Sequence, residues 1–113
     1  MTPREFLAEL EELVMLAILR LGAGAYGASI LRELEEHAGR GVPRGSVYVT
    51  LDRLEEKGFL TSRAGEPTAQ RGGRAPRLVT VTEAGLAAVR RMHAVRERLQ
   101  QGLDSALQPG GRP

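Results

Sequence analysis

Apolar residues recur along the chain mostly at three- and four-residue spacing, interrupted once by a pair of short alternating segments. Leu7, Leu10, Val14, Ala17 and Leu21 form one stripe and predict a helix over Pro3–Leu21. Pro3 suits a first-turn position, and Glu5 and Glu9 stand near the positive end of the helix dipole. Met15, Leu16, Ile18 and Leu19 make the second half apolar on all sides, the mark of a helix buried on more than one side. Gly22-Ala23-Gly24 ends it. A second helix is expected from near Tyr26 to about Ala38, with Tyr26, Ile30, Leu31 and Leu34 inward and Arg32, Glu33, Glu35 and Glu36 solvated. Its start is poorly marked, since no Ser, Thr, Asp or Asn stands just before Tyr26. Gly39–Pro43 reads as a turn. A third helix follows over 44–57, with Val47, Leu51 and Leu54 facing a core and Gly58 as a left-handed cap.

Phe59–Ala64 is a short strand candidate, and Arg77–Val81, rich in β-branched residues, is a second. The stretch 65–76 between them is too rich in Gly and Pro for regular structure, so the two strands form a hairpin with a long tip. Thr82 then caps a last helix that carries Leu86, Val89, Met92, Leu99, Leu103 and Leu107; Gly85 stands where a capping-box Glu would be. The fold class this predicts is mainly α with a small β-hairpin (α+β). The order helix, helix, helix, hairpin, helix is that of a winged helix-turn-helix over 1–81. A dimerisation helix over 82–107 and a disordered tail over 108–113 complete the expected organisation.

Composition narrows the function. The apolar fraction of 42% supports a packed core, but with two Tyr, two Phe and no Trp that core must be aliphatic. No cysteine is present, which excludes disulfide scaffolds, thiolate zinc sites and cysteine nucleophiles. The longest apolar run, Leu13–Leu19, falls far short of the roughly 20 residues of a bilayer span. The first residues lack a charged stretch leading into an apolar segment, so a soluble cytoplasmic protein is expected. Net charge is only +2, but it is unevenly spread. Residues 1–57 hold seven Lys/Arg against ten Asp/Glu, whereas 58–77 hold Arg63, Arg71, Arg74 and Arg77 against Glu66 alone. The hairpin tip is therefore an electropositive footprint of the kind that meets nucleic acid.

Several motifs in order carry a resemblance. Tyr26-Gly27 opens the second helix. Gly45-Ser46-Val47-Tyr48 and Leu51-Asp52-Arg53-Leu54-Glu55-Glu56-Lys57-Gly58 fill the third. Arg71-Gly72-Gly73-Arg74 lies in the wing, and Val81-Thr82-Glu83-Ala84-Gly85 precedes the last helix. Together they resemble the PadR-type regulators, in the short subfamily with a single C-terminal helix, over about Leu10 to Leu86. The resemblance implies a DNA-binding regulator, by default a repressor, and a homodimer formed through the first and last helices.

With Val47, Leu51 and Leu54 inward, Ser46, Val49, Thr50 and Arg53 turn largely outward, where they can meet base edges or phosphates. The resemblance suggests that Tyr48 contacts the DNA backbone. The expected DNA-binding set is Tyr26, Arg44, Ser46, Tyr48, Thr50 and Arg53, with Arg71, Gly72, Gly73, Arg74 and Arg77 from the wing. Glycine there allows close backbone approach, and arginine suits a narrow groove or a phosphate pair. The plainer reading is that Ser46 caps its helix, Tyr48 packs, Arg53 pairs with Glu55 or Glu56, and the wing is a solvated turn. The expected dimer interface comprises Leu7, Leu10, Met15 and Leu19 from the first helix with Leu86, Val89, Met92, Leu99 and Leu103 from the last. Such a dimer would set two recognition helices about one DNA turn apart on an inverted repeat.

No cofactor or metal is expected: His37 and His93 have no Cys or His at ligand spacing. Some relatives bind drug-like molecules between their dimer helices with help from an aromatic on the last helix. Here that helix has none, which counts against ligand binding of that kind and leaves the identity of any small-molecule effector unknown. The adjacent acidic pairs Glu35-Glu36 and Glu55-Glu56 diverge on their helices, and no catalytic spacing of Ser, His and carboxylate is present, so an enzyme is not expected. The alternative to a DNA-binding protein is a winged-helix module that binds another protein.

Overall fold

The computed structural model describes residues 6–39, 41–67 and 72–110. In chain order these form α1 (Glu9–Leu21), a single 3-10 turn (Gly22–Gly24), α2 (Gly27–Ala38), α3 (Arg44–Glu56), β1 (Leu60–Ala64), β2 (Arg77–Val81), α4 (Glu83–Gln100) and α5 (Asp104–Leu107). The helical class with one hairpin is as the hydrophobic pattern predicts.

The first helix begins later than its periodicity suggests. Pro3 and Glu5 lie outside the described residues, and Ala8, with extended backbone, is the N-cap. Its N–H donates to Oε1 of Glu11 at 2.8 Å, so a carboxylate inside the first turn closes the helix. The cryptic start of α2 has the same explanation. The Tyr26 N–H donates to Oγ of Ser29 at 3.0 Å, a cap supplied from within the helix rather than ahead of it.

Helix α3 buries Val47, Leu51 and Leu54 completely. It ends in a Schellman motif: the Phe59 N–H donates to the Leu54 carbonyl at 2.9 Å and the Gly58 N–H to the Glu55 carbonyl at 3.0 Å. Gly58 takes φ +80°, which explains the glycine, and the Phe59 and Leu54 side chains are both buried beside the cap. The two strands pair antiparallel from Leu60 opposite Val81 to Ala64 opposite Arg77. The Val79 N–H donates to the Ala25 carbonyl at 3.0 Å, which fastens the hairpin to the segment leading out of α1.

One core joins these elements, with Val14, Met15, Ala17 and Ile18 of α1 at its centre and Ile30, Leu34, Phe59, Leu60, Val79, Ala88 and Met92 around it. This corrects part of the expected dimer interface. Met15 is wholly covered within the protomer, where one side of α1 packs on α2, α3, the hairpin and α4, and Leu7 and Met92 are buried too. Leu16 and Leu19 on its outer side stay exposed.

Two carboxylates sit among these apolar residues. Glu11 and Glu12 are buried, and each meets a cation from a distant element: Lys57 Nζ lies 2.8 Å from Glu11 Oε2, and Arg96 hydrogen-bonds Glu12. Hydrogen bonding to Glu12, and then its charge, raises the Arg96 pKa above the ordinary guanidinium value. The expected continuous helix from Thr82 to Leu107 is broken. Thr82 does cap α4, accepting from the Gly85 N–H at 3.1 Å, but Gln101 turns extended and Gly102 takes φ +79°, so Leu103 to Leu107 make a separate turn. Of the expected tail, 108–110 form a turn and 111–113 lie outside the described residues.

Candidate nucleic-acid interface

Three elements converge on one side of the molecule: the first turn of α2, the N-terminal half of α3 and the tip end of the hairpin. Between them runs an open groove of about 720 Å³ lined by Tyr26, Arg44, Tyr48, Arg74 and Arg77, with Gly27 in its wall. Arg44 opens α3 and is exposed, as is Arg74 on the hairpin. These residues come from segments far apart in the chain.

The position of Tyr48 depends on Gly27. A Cβ built on Gly27 would lie 2.6 Å from the Tyr48 hydroxyl oxygen and 2.8 Å from its Cζ. The Tyr48 ring therefore rests against the first turn of α2 in space that any side chain there would take. That gives a physical reason for the Tyr26-Gly27 pair, invisible to spacing because residues 27 and 48 belong to different helices. Tyr48 remains 40% exposed, so the plain packing reading of this residue is incomplete.

Ser46 does not cap α3. Pro43 is the N-cap, without a side-chain bond, and the Ser46 N–H donates to the Pro43 carbonyl at 3.0 Å. Ser46 is half-buried beside Val42 and Pro43, at the rim of a hollow next to α1. Thr50 is a correction. It is 4% exposed, and its hydroxyl donates to the Ser46 carbonyl at 2.7 Å, so it faces inward and offers nothing to a ligand. The apolar stripe is wider than the three residues used to orient the helix, and Thr50 lies at its edge. Val49 and Arg53 are exposed, as the helical projection predicts.

Arg71 lies outside the described residues; Gly72-Gly73 form a turn beside it. Arg77, placed in the expected DNA-binding set, is already paired with carboxylates of α3. Its Nη1 donates to Asp52 Oδ1 at 2.9 Å, and its Nη2 lies 3.6 Å from Glu55 Oε1, which also accepts from the Ser62 hydroxyl. The hairpin thus answers the acidic C-terminal half of α3, 25 residues away in sequence, which local charge counting could not foresee. Arg77 links the wing to α3 through exposed carboxylates.

A separate cluster, Glu33, Glu36 and His37, brings three ligand-type atoms within 4.8 Å of one another. Arg20 Nε donates to Glu33 at 3.1 Å and its Nη2 lies 3.3 Å from His37 Nε2, so Arg20 braces α1 against α2 through this cluster. Among the described residues no helix is long and apolar enough to cross a membrane.

Known proteins share this architecture. A PadR-like transcription factor from Bacteroides fragilis is similar at 26% identity, covering 84% of this chain and 86% of that one, with a TM-score of 0.69. A PadR family regulator from Eggerthella lenta is similar at 27% identity, covering 88% and 87%, with a TM-score of 0.67. The fold is shared by BpsR of Bordetella bronchiseptica, whose DNA binding is regulated by 6-hydroxynicotinic acid, at 22% identity over 98% and 75% of the chains and a TM-score of 0.68. No curated protein matches the chain by sequence. The family model for PadR-like transcriptional regulators matches residues 15–91, from the centre of α1 through the helix pair and hairpin into α4, and the chain belongs to that family.

Proposed function

We propose that this protein is a homodimeric repressor that binds an inverted repeat in duplex DNA, with α3 in the major groove and the hairpin tip on the adjacent backbone. The observation that carries this reading is the groove in which Arg44 and Arg74 flank the aromatic pair Tyr26 and Tyr48. Guanidinium and hydroxyl groups on one concave face suit phosphate oxygens, which fix a protein on the duplex before any base is read. Tyr26, Arg44, Ser46, Tyr48, Arg53, Arg71, Gly72, Gly73 and Arg74 form the proposed contact set. Arg77 acts through the wing's position, and Thr50 drops out.

The dimer is supported by what a single chain leaves uncovered. Leu16, Leu19, Leu99, Leu103 and Leu107 are exposed. The radius of gyration is 16.2 Å, against about 13 Å for a compact domain of this length. A groove of about 680 Å³ between α1 and α4, with Leu13, Leu16 and Val89 in its walls, provides a seat for a partner's C-terminal helix. Leu10, Leu19, Leu86, Val89, Leu99 and Leu103 make up the proposed interface.

Selection of bound fragments from a random duplex pool tests the reading. The expected outcome is two half-sites in inverted orientation with centres about 34 Å apart. The double variant Arg71→Ala with Arg74→Ala is expected to bind such a fragment about tenfold more weakly. Its plot of log affinity against log salt should be shallower by about 0.9 for each phosphate contact removed. Unchanged affinity and slope, or a single unpaired half-site, would count against the wing and the dimer respectively.

A second variant isolates the tyrosine. Gly27→Ala is expected to push the Tyr48 ring out of its seat at little cost in stability, because an exposed ring can swing aside. Binding to the selected fragment should fall to the level of Tyr48→Phe or below, with the melting temperature held within about 2 °C. Full affinity in Gly27→Ala would show that the seat is not needed.

A further inference from the structure

The face of α3 turned furthest from the core is not uniformly polar. Gly45 and Val49 lie one helical turn apart along its middle, opposite Val47, Leu51 and Leu54. Val49 is 50% exposed, a β-branched apolar side chain between Arg44 on one side and Asp52 and Arg53 on the other. Gly45 is helical, has no left-handed φ, and a Cβ added to it would meet no atom within 4 Å. Nothing in the fold requires glycine at that position, and alanine is the better helix former. An exposed apolar group and a glycine without an internal purpose, on one face beside a cationic groove, fit a surface pressed against another molecule.

We propose that Val49 is a specificity-determining residue that packs on the 5-methyl group of a thymine in the major groove, with Gly45 giving the clearance that lets α3 approach. The inference rests on the DNA-binding reading above. Of the base edges in the major groove, thymine's is the one that presents an apolar group, and valine has no donor or acceptor with which to read the others. The charges along α3 favour the same docking. Asp52, Glu55 and Glu56 crowd its C-terminal half, whereas Arg44 stands at its N-terminal end. Phosphates on either side of the groove are therefore attracted to the end that holds Gly45 and Val49, where the helix dipole adds to the charge of Arg44.

The test uses fragments selected by the wild-type protein, with each thymine replaced in turn by deoxyuridine, a change that removes only the methyl group. One thymine in each half-site is expected to be sensitive, with wild-type affinity falling about fourfold on its replacement. Val49→Ala, which removes the contact from both subunits, should bind the thymine fragment as weakly as the wild type binds a fragment with uracil at that position in both half-sites, and should not respond to the replacement. Its melting temperature checks that the fold is kept, since Val49 is exposed and alanine favours helix. Gly45→Ala should bind all selected fragments more weakly while melting no lower than the wild type. A methyl effect that persists in Val49→Ala, or no methyl-sensitive thymine at all, overturns the inference and leaves the DNA-binding reading standing. Wild-type affinity in Gly45→Ala overturns the clearance. A pool that yields no bound fragment overturns both the inference and the reading beneath it.

Discussion

Replacing Gly85 with alanine is expected to cost about 2–4 kcal/mol of stability, although alanine is ordinarily the better residue in a helix by about 1 kcal/mol. Gly85 lies in the first turn of α4, which crosses the link between α3 and β1. A Cβ there would fall onto the Phe59 carbonyl oxygen and within 3.0 Å of Met15 Cε and Val81 Cγ1. The methionine end can give way, but a backbone carbonyl cannot. That carbonyl also accepts the Thr82 N–H at 3.0 Å, and the Thr82 hydroxyl donates to the Gly58 carbonyl at 2.6 Å, so the crossing is held by hydrogen bonds on both sides of the contact. Relief requires α4 to move off the Schellman cap of α3, opening the core around Met15. In a chain of this length the expected fall in melting temperature is about 10 °C or more. Gly24→Ala is the control, since a Cβ at Gly24 would meet nothing within 4 Å and its φ is not left-handed. Equal melting of Gly85→Ala and Gly24→Ala would refute the close-contact account.

Gly85 also marks the boundary of what the linear pattern reveals. Val47, Leu51 and Leu54 point α3 correctly because helix periodicity alone decides which side is buried, and Gly58 is readable because its left-handed φ is a local requirement. Gly85 could be read locally only as a missing capping-box residue. Its reason is a crossing of two segments more than twenty residues apart. The same holds for Gly27 under Tyr48 and for Arg77 opposite Asp52. The candidate site was legible as a list of residue types, arginines and glycines in the wing and a polar face on α3. Which members face outward and which are already paired was not. Thr50 went astray because a helix's buried arc is wider than its apolar stripe: a threonine at the edge can satisfy its hydroxyl on the carbonyl four residues back and turn inward. The long last helix went astray because Gly102 lies in a region whose leucines continue at helical spacing, so periodicity runs on across a break in the backbone.

The interaction most at odds with a reading of Glu and Lys as surface residues is the pair between Glu11 and Lys57, and it carries the second large expected effect. Glu11 is 6% exposed, accepts from Lys57 Nζ at 2.8 and 3.0 Å, and also accepts the Ala8 N–H. The Lys57 side chain is 18% exposed, so water screens the pair only partly. Lys57→Met would leave the Glu11 carboxylate against apolar neighbours with, among the described residues, the Ala8 amide to answer it. Removing one partner from a buried pair costs about 3–5 kcal/mol, and the residual exposure reduces the expectation to about 2–3 kcal/mol in urea denaturation. Arg77→Ala, by contrast, breaks a pair whose Asp52 side chain is 70% exposed, and its expected cost is below about 1 kcal/mol. A double variant, Glu11→Leu with Lys57→Met, should recover much of the loss, because it removes the stranded charge as well as the pair. A Lys57→Met variant within about 0.5 kcal/mol of the wild type would mean that Glu11 finds solvent by another route. The difference in cost matters for presentation of α3. Its C-terminal end is clamped to α1 through Lys57, while its flank meets the hairpin through a weak, exposed pair. Of these two side-chain links to α3, the one to α1 is therefore the stronger.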